Sequence, residues 1–86
     1  MREIRWSLIK NEQLKQTRGV SFRDVIMEGD VVKIIAHPKR SDQKIMLVLY
    51  KEYIWIIPFV KERKSVFLKT LYPSRKLTRI YREGGL

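Results

Sequence analysis

Basic side chains near the carboxyl end of this chain have the types and spacing needed for chemistry on an anion. Between residues 69 and 82 there is no carboxylate, and the basic residues are Lys69, Arg75, Lys76, Arg79 and Arg82. A guanidinium group can fork onto two phosphate oxygens, and an ammonium group binds phosphate as a point charge. The segment therefore indicates a polyanionic ligand, although a solvated basic helix that merely covers a sheet would show the same pattern.

Cations of this kind suffice for one route of RNA cleavage, in which the substrate's own 2′-hydroxyl attacks the neighbouring phosphate. The protein must align that hydroxyl, hold the phosphate and stabilise the extra negative charge of the transition state. Arg75 and Lys69 suit the last two tasks. In a strand, Lys69 would share a face with Phe67 and Leu71, and apolar neighbours favour the neutral lysine that can exchange a proton. The alternative is a lysine at a sheet edge whose stem snorkels past its neighbours.

Other catalytic chemistries have few candidate residues. His37, the only histidine, stands at a predicted strand end, where it is either a reserve acid–base group or a polar loop residue. Asp24, Glu28 and Asp30 form the only carboxylate cluster, and a helix cap and a turn account for two of them, so we predict no metal site and no cofactor. The chain contains no Walker loop, no dinucleotide-binding glycine motif and no credible serine or cysteine triad.

The composition is that of a small basic protein with a core. Its 86 residues include 19 Lys and Arg against 9 Asp and Glu, which gives a formal net charge of +10 and favours an acidic partner. A hydrophobic fraction of 44% excludes a disordered basic tail. The absence of cysteine fits a reducing cytosol. Because the first residues are charged and the apolar region Ile45–Val60 is interrupted, we expect a cytoplasmic protein without an export signal or membrane contact.

The elements that must position these residues are predicted as one α+β domain over residues 1–86, in the order β-α-α-β-β-β-β-α. Ser7 and Gly19 bound a helix over Leu8–Arg18, and Ser21 with Asp24 opens a second helix that ends at Gly29-Asp30. The predicted strands are Glu3–Trp6, Val31–His37, Gln43–Tyr50, Tyr53–Val60 and Ser65–Tyr72, and the closing helix is Ser74–Glu83. With a tight hairpin at Lys51-Glu52, these strands predict an antiparallel sheet of four or five strands.

Spacing within the elements predicts which side chains face the core. In the closing helix, Leu77, Ile80 and Tyr81 should pack on the sheet while Arg75, Arg79 and Arg82 face solvent. In the first helix, Lys10, Leu14 and Arg18 share one stripe at i, i+4 and i+8. In the strand after the second helix, Val32, Ile34 and Ala36 should share one face.

Two segments, one near each end of the chain, carry a resemblance to a known family. They are Trp6-x-x-x-Lys10-Asn11-x-x-Leu14-Lys15-x-x-Arg18-Gly19-Val20-Ser21-Phe22-x-Asp24-Val25 and Phe67-Leu-Lys-Thr-Leu-Tyr-Pro-Ser74-Arg75-Lys76-x-Thr78. Both segments resemble the BrnT-type toxins of bacterial type II toxin–antitoxin modules. The chain departs from the common pattern at Ser7, where an acidic residue usually follows the tryptophan, and at Thr17-Arg18, where a Lys-His pair usually stands. The second departure argues against an imidazole at this point and leaves Arg18 as a phosphate-binding candidate.

The resemblance implies a RelE-like fold and inhibition of translation by RNA cleavage, with function on Lys10, Arg18, Lys69 and Arg75. It also implies a small ribbon-helix-helix antitoxin that neutralises the toxin and forms with it the complex that binds operator DNA. We therefore expect an endoribonuclease toxin in which Lys69, Arg75 and Arg18 act at the scissile phosphate and His37 is a reserve acid–base group. The residues expected to bind the flanking RNA are Lys10, Lys15, Lys76, Arg79 and Arg82.

Two other functions are compatible with the same residues. One is a non-catalytic module that binds RNA or DNA through its basic face. The other is an inactive toxin homologue that persists as an antitoxin-binding protein in operon repression.

Overall fold

A six-stranded sheet forms the middle layer of the molecule in the computed structural model, which describes residues 3–86. The strands are β1 (Glu3–Trp6), β2 (Asp30–Ala36), β3 (Gln43–Tyr50), β4 (Tyr53–Lys61), β5 (Ser65–Leu68) and β6 (Tyr72–Ser74), and the helices are α1 (Leu8–Arg18), α2 (Phe22–Glu28) and α3 (Arg75–Arg82). The α+β class is confirmed, but the order contains one strand, β6, that was not predicted. Among the helices of the described range, none has the length and apolar character needed to cross a lipid bilayer.

The sheet contains both parallel and antiparallel pairs, whereas a purely antiparallel sheet was predicted. Its strand order is β1-β5-β4-β3-β2, with β6 pairing β4 beyond the end of β5. All pairings are antiparallel except β1 with β5, which runs parallel from Glu3 opposite Ser65 to Trp6 opposite Leu68. Parallel neighbours need a long crossover, and the two helices and three strands between β1 and β5 provide it. The predicted antiparallel meander is confirmed for β2 to β5, and the prediction was wrong only for β1, which pairs in parallel with the distant strand β5.

The predicted strand Ser65–Tyr72 is interrupted between β5 and β6. At the break the Lys69 N–H donates to the Pro58 carbonyl over 2.8 Å, but Pro58 lacks an N–H with which to return the bond. Pairing resumes where Tyr72 lies opposite Ile56. The proline in β4 therefore explains why one long strand became two short ones.

The first two helices cover one face of the sheet and have the predicted bounds. Ser7 Oγ accepts a hydrogen bond from the Lys10 N–H, Gly19 closes α1 in the left-handed conformation, and Ser21 Oγ accepts from the Asp24 N–H. The buried side chains of this face are Leu14, Val20, Phe22, Val25, Met46, Val48, Tyr50, Trp55, Ile57, Phe59, Leu68 and Leu71. Both helix starts are thus determined by local capping hydrogen bonds.

The opposite face is covered by α3, whose cap is Ser74. Leu77 and Tyr81 pack there against a cluster of Ile45, Leu47 and Ile54, as predicted for both residues. Ile80 does not belong to that cluster, and Thr78 is buried instead. Since the row that meets the sheet is 74, 77, 78 and 81, a small polar side chain, not Ile80, lies under the first turn of the helix.

A bulge in β2 changes the predicted face of this strand. The register shifts between Val31 and Lys33, so Val32 packs on the α3 side while Ile34 meets Met46 on the other side. The predicted common face for Val32, Ile34 and Ala36 was therefore wrong, because one extra residue in a strand reverses every later side chain.

Candidate nucleic-acid interface

Four basic residues of α3 form one exposed surface, which we call the α3 basic surface: Arg75, Lys76, Arg79 and Arg82. With Tyr53 and Thr78 they line an open cleft of about 610 Å³. Arg79 lies 4.0 Å from Glu83, but both side chains are exposed, so solvent screens that pair. The Arg82 guanidinium donates to the Glu52 carbonyl over 3.3 Å. The surface therefore keeps most of its positive charge available to an anion.

Thr78 fixes the first turn of α3 to the start of β4. Its Oγ1 accepts a hydrogen bond from the Ile54 N–H over 2.9 Å and donates to the Ser74 carbonyl over 2.6 Å. Ser74 is also paired with Ile54 through β6, and its own Oγ accepts from the Leu77 N–H over 3.1 Å. Because Arg75 follows directly after this doubly held residue, its backbone position is well determined while its side chain remains exposed.

A second cleft lies beside the first and shares Tyr53 and Arg75 with it. This aromatic cleft encloses about 490 Å³, and its lining residues are Tyr50, Lys51, Tyr53, Trp55, Pro73 and Arg75. The rings of Tyr50 and Trp55 meet edge to face with centroids 6.4 Å apart, and the Trp55 Nε1–H donates to the Tyr50 carbonyl over 3.2 Å. The floor of the cleft is therefore rigid. Sequence reasoning missed these aromatic residues, although Tyr50, Tyr53 and Trp55 do gather around one predicted hairpin.

The hairpin turn at the rim of the aromatic cleft has a strained backbone. Lys51 and Glu52 have φ values of 50° and 64°, which confirms a tight turn of the kind that follows the twist of a hairpin. Such turns usually contain asparagine and glycine, because other side chains in the left-handed region crowd the backbone. The Lys51 ammonium lies 5.4 Å from the centre of the Tyr50 ring, so the turn holds a cation next to the aromatic floor.

Lys69 is exposed, and of its two predicted neighbours Phe67 is confirmed and Leu71 is not. Its ammonium lies 5.6 Å from the centre of the Phe67 ring, whereas Leu71 is fully buried in the core of the other face. Lys69 meets β4 at Pro58, and Ser74 meets it at Ile54. Four residues of strand amount to about 13 Å. Only their long side chains could therefore bring Lys69 and Arg75 to one phosphate.

The basic residues of α1 lie on a helix that packs on the opposite face of the sheet from α3. Lys15 is 3.6 Å from Glu12, Lys10 is half-buried, and Arg18 is exposed in the last turn. Within residues 3–86, Arg18 takes part in no ion pair. The structure therefore does not join these cations to the α3 basic surface.

His37 lies in the loop after β2 and supports that loop. Its Nδ1 accepts hydrogen bonds from the N–H groups of Lys39 and Arg40, both over 3.1 Å, so a neutral imidazole would carry its proton on Nε2. Its own N–H donates to the carbonyl of Gln43, where β3 begins, whereas Tyr50 in the aromatic cleft is where β3 ends. Seven residues of strand correspond to about 23 Å. His37 is thus placed at the far end of the sheet from Arg75.

Two residues of the predicted carboxylate cluster, Asp24 and Asp30, lie in the first turn of α2 and at the first residue of β2. The N–H of Asp24 is held by Ser21 at the start of α2. Over the described part of the chain, no three His, Asp or Glu side chains converge as metal ligands would.

No family model, no curated protein and no solved structure matches this chain.

Proposed function

We propose that this protein is a metal-independent endoribonuclease of the BrnT/RelE-like toxin kind, which binds RNA through the α3 basic surface. The observation that supports it most is the position of Arg75, an exposed guanidinium on a fixed backbone where the two clefts meet. One guanidinium group can bind two oxygens of a phosphate at once, and a row of such groups can bind successive phosphates of an RNA strand. In this proposal the scissile phosphate is bound at Arg75.

The reaction needs no group beyond the RNA, the protein's cations and water. The 2′-oxygen of the substrate forms a bond to phosphorus while the bond from phosphorus to the 5′-oxygen breaks, which gives a 2′,3′-cyclic phosphate and a 5′-hydroxyl. The attacking hydroxyl loses its proton to water, and the leaving 5′-oxygen gains a proton. Arg75 stabilises the additional negative charge on the phosphorane oxygens. Lys69, which lies about 13 Å away along the strand and reaches the phosphate through its long side chain, is the candidate proton donor for the leaving oxygen.

A basic enzyme of this kind needs an inhibitor in the cell that produces it. Following the resemblance of both chain ends to BrnT-type toxins, we propose a cytoplasmic location and a small ribbon-helix-helix antitoxin whose acidic residues cover Arg75 or Lys69. Complementary charge speeds such an association. Operator DNA would be recognised by the toxin–antitoxin complex and not by the toxin alone.

The test is cleavage of single-stranded RNA by the purified protein in EDTA, with and without translating ribosomes. We expect products that end in a 2′,3′-cyclic phosphate, and no cleavage where the attacking sugar is replaced by 2′-deoxyribose. Intact RNA under both conditions, together with harmless expression in growing cells, would reject the proposed activity.

The second candidate is a non-catalytic module that binds RNA through the same surface. It is favoured by one observation, the distance of about 23 Å along β3 between the only histidine and the clefts at Arg75. The same assay separates the two functions, since this module would bind the RNA and leave it intact.

A further inference from the structure

The aromatic cleft has a composition that phosphate binding alone does not explain. Three of its lining residues carry aromatic rings, and a fourth is Pro73. Phosphate groups are bound by cations and N–H donors, whereas rings and proline offer flat apolar surfaces. The cleft therefore suits a flat ligand that is joined to an anionic group.

The size and rigidity of the cleft fit such a ligand. Its volume of about 490 Å³ lies within the range usual for small-molecule sites. Tyr50 and Trp55 are buried and fixed to each other, so they form a floor, while the half-buried Tyr53 stands between this cleft and that of the α3 basic surface. A ring that enters the cleft would meet aromatic surface without any need for the floor to rearrange.

The cations around the cleft indicate where the anionic group of the ligand would bind. Arg75 lines both clefts, and Lys51 is held at the rim by the strained turn. Strained backbone of this kind persists where surrounding contacts hold it in place, and such residues are often found at binding sites. A nucleotide whose phosphate is bound by Arg75 would therefore have its base beside the aromatic floor.

We infer that the aromatic cleft binds one unpaired nucleobase, next to the phosphate that Arg75 holds, and that the protein therefore selects single-stranded RNA. The inference rests on the proposed function and adds a recognition site to it. Stacking a base on an aromatic side chain strengthens binding by about 5- to 150-fold, and it tolerates any base because every base has a flat face. The cleft would thus select unpaired strands without reading their sequence.

The test compares two probes of equal length and charge, a short oligodeoxythymidylate and the corresponding strand without bases. Both lack the 2′-hydroxyl, so neither is cleaved. We expect the wild-type protein to bind the base-containing strand about 5- to 150-fold more tightly. Tyr53→Leu should abolish most of this difference, because Tyr53 is the one half-buried ring of the lining while Tyr50 and Trp55 are buried. Tyr72→Leu, which removes an exposed ring that does not line the cleft, should preserve it.

The indole N–H of Trp55 gives a second readout that does not depend on a variant's folding. Because it is bonded to the Tyr50 carbonyl on the cleft floor, its NMR signal should move with the base-containing strand and not with the strand lacking bases. The base site would be overturned if both strands bound equally tightly, with the same salt sensitivity, and the Trp55 signal did not move. That result would still support phosphate binding by the α3 basic surface. Failure of both strands and of RNA to bind would overturn the proposed function itself.

Discussion

Replacing Arg75 with alanine is expected to lower the rate of RNA cleavage by about 10²–10³-fold, because a charge-stabilising donor on a fixed backbone is lost. The fold should persist, since Arg75 is exposed and α3 is held to the sheet through Leu77, Thr78 and Tyr81. Single-turnover cleavage rates, measured beside circular dichroism spectra, check both statements. In cells, the same substitution should relieve the growth arrest that the proposed toxin activity would cause.

Arg82→Ala is the matched control for Arg75→Ala. Arg82 is an exposed arginine of the same helix, and its guanidinium donates a hydrogen bond to the Glu52 carbonyl. We expect it to weaken RNA binding slightly and to leave the rate of the bound complex nearly unchanged. A folded Arg75→Ala variant that cleaves RNA as fast as the wild type would remove Arg75 from the mechanism.

The largest expected change in stability comes from Gly29→Ala, at the junction of α2 and β2. A Cβ atom there would lie 2.5 Å from the Val25 carbonyl oxygen, 2.6 Å from Val48 Cγ1 and 3.0 Å from the Leu49 carbonyl oxygen. Two of these atoms belong to the backbone, so the helix and the sheet would have to move apart. We expect a loss of about 3 kcal/mol in the free energy of unfolding, or roughly 12–24 °C in Tm for a domain of this size.

Gly19→Ala and Gly84→Ala are the controls for the steric explanation. Both glycines have positive φ, at 71° and 79°, and an added Cβ would meet nothing within 4 Å at either site. Each should therefore cost only about 1 kcal/mol, from backbone conformation alone. Thermal melts of the three variants decide the matter, and a Gly29→Ala protein as stable as the two controls would show that α2 can shift freely.

Local chemistry made part of this fold predictable. The bounds of α1 and the starts of α2 and α3 depend on serine hydroxyls that cap N–H groups three residues ahead, a contact contained within one turn. The hairpin at Lys51-Glu52 is local in the same sense.

Features that depend on distant partners were not predictable. The parallel pairing of β1 with β5 joins residues some sixty positions apart, and the break after Leu68 depends on which residue of β4 lies opposite Lys69. The bulge in β2 is set by its partner β3. In each case the sequence of the strand alone would look the same whether or not the parallel pairing, the break or the bulge were present.

The candidate site divides along the same line. The solvent-facing arginines of α3 follow from helical spacing, and all of them are exposed as predicted. The predicted grouping of Arg18 and His37 with Arg75 depends on the face and the end of the sheet at which each residue lies. The periodicity of a helix or strand gives no information about either position. The aromatic cleft joins Tyr50 of β3 and Trp55 of β4 to Pro73 of β6, so only the register of these three strands reveals it.

The salt dependence of RNA binding tests most directly whether the α3 basic surface holds the RNA backbone. Two variants with equal loss of charge are compared with the wild type: Arg75→Gln/Arg79→Gln/Arg82→Gln in α3, and Lys10→Gln/Lys15→Gln/Arg18→Gln in α1. If Lys69 and the four α3 cations neutralise about five phosphates, the slope of log K against log salt should be about −3.5 for single-stranded RNA. It should fall to about −1.4 in the α3 variant and stay near −3.5 in the α1 variant. A flat wild-type response, or a slope reduced by the α1 changes and untouched by those in α3, would contradict this account.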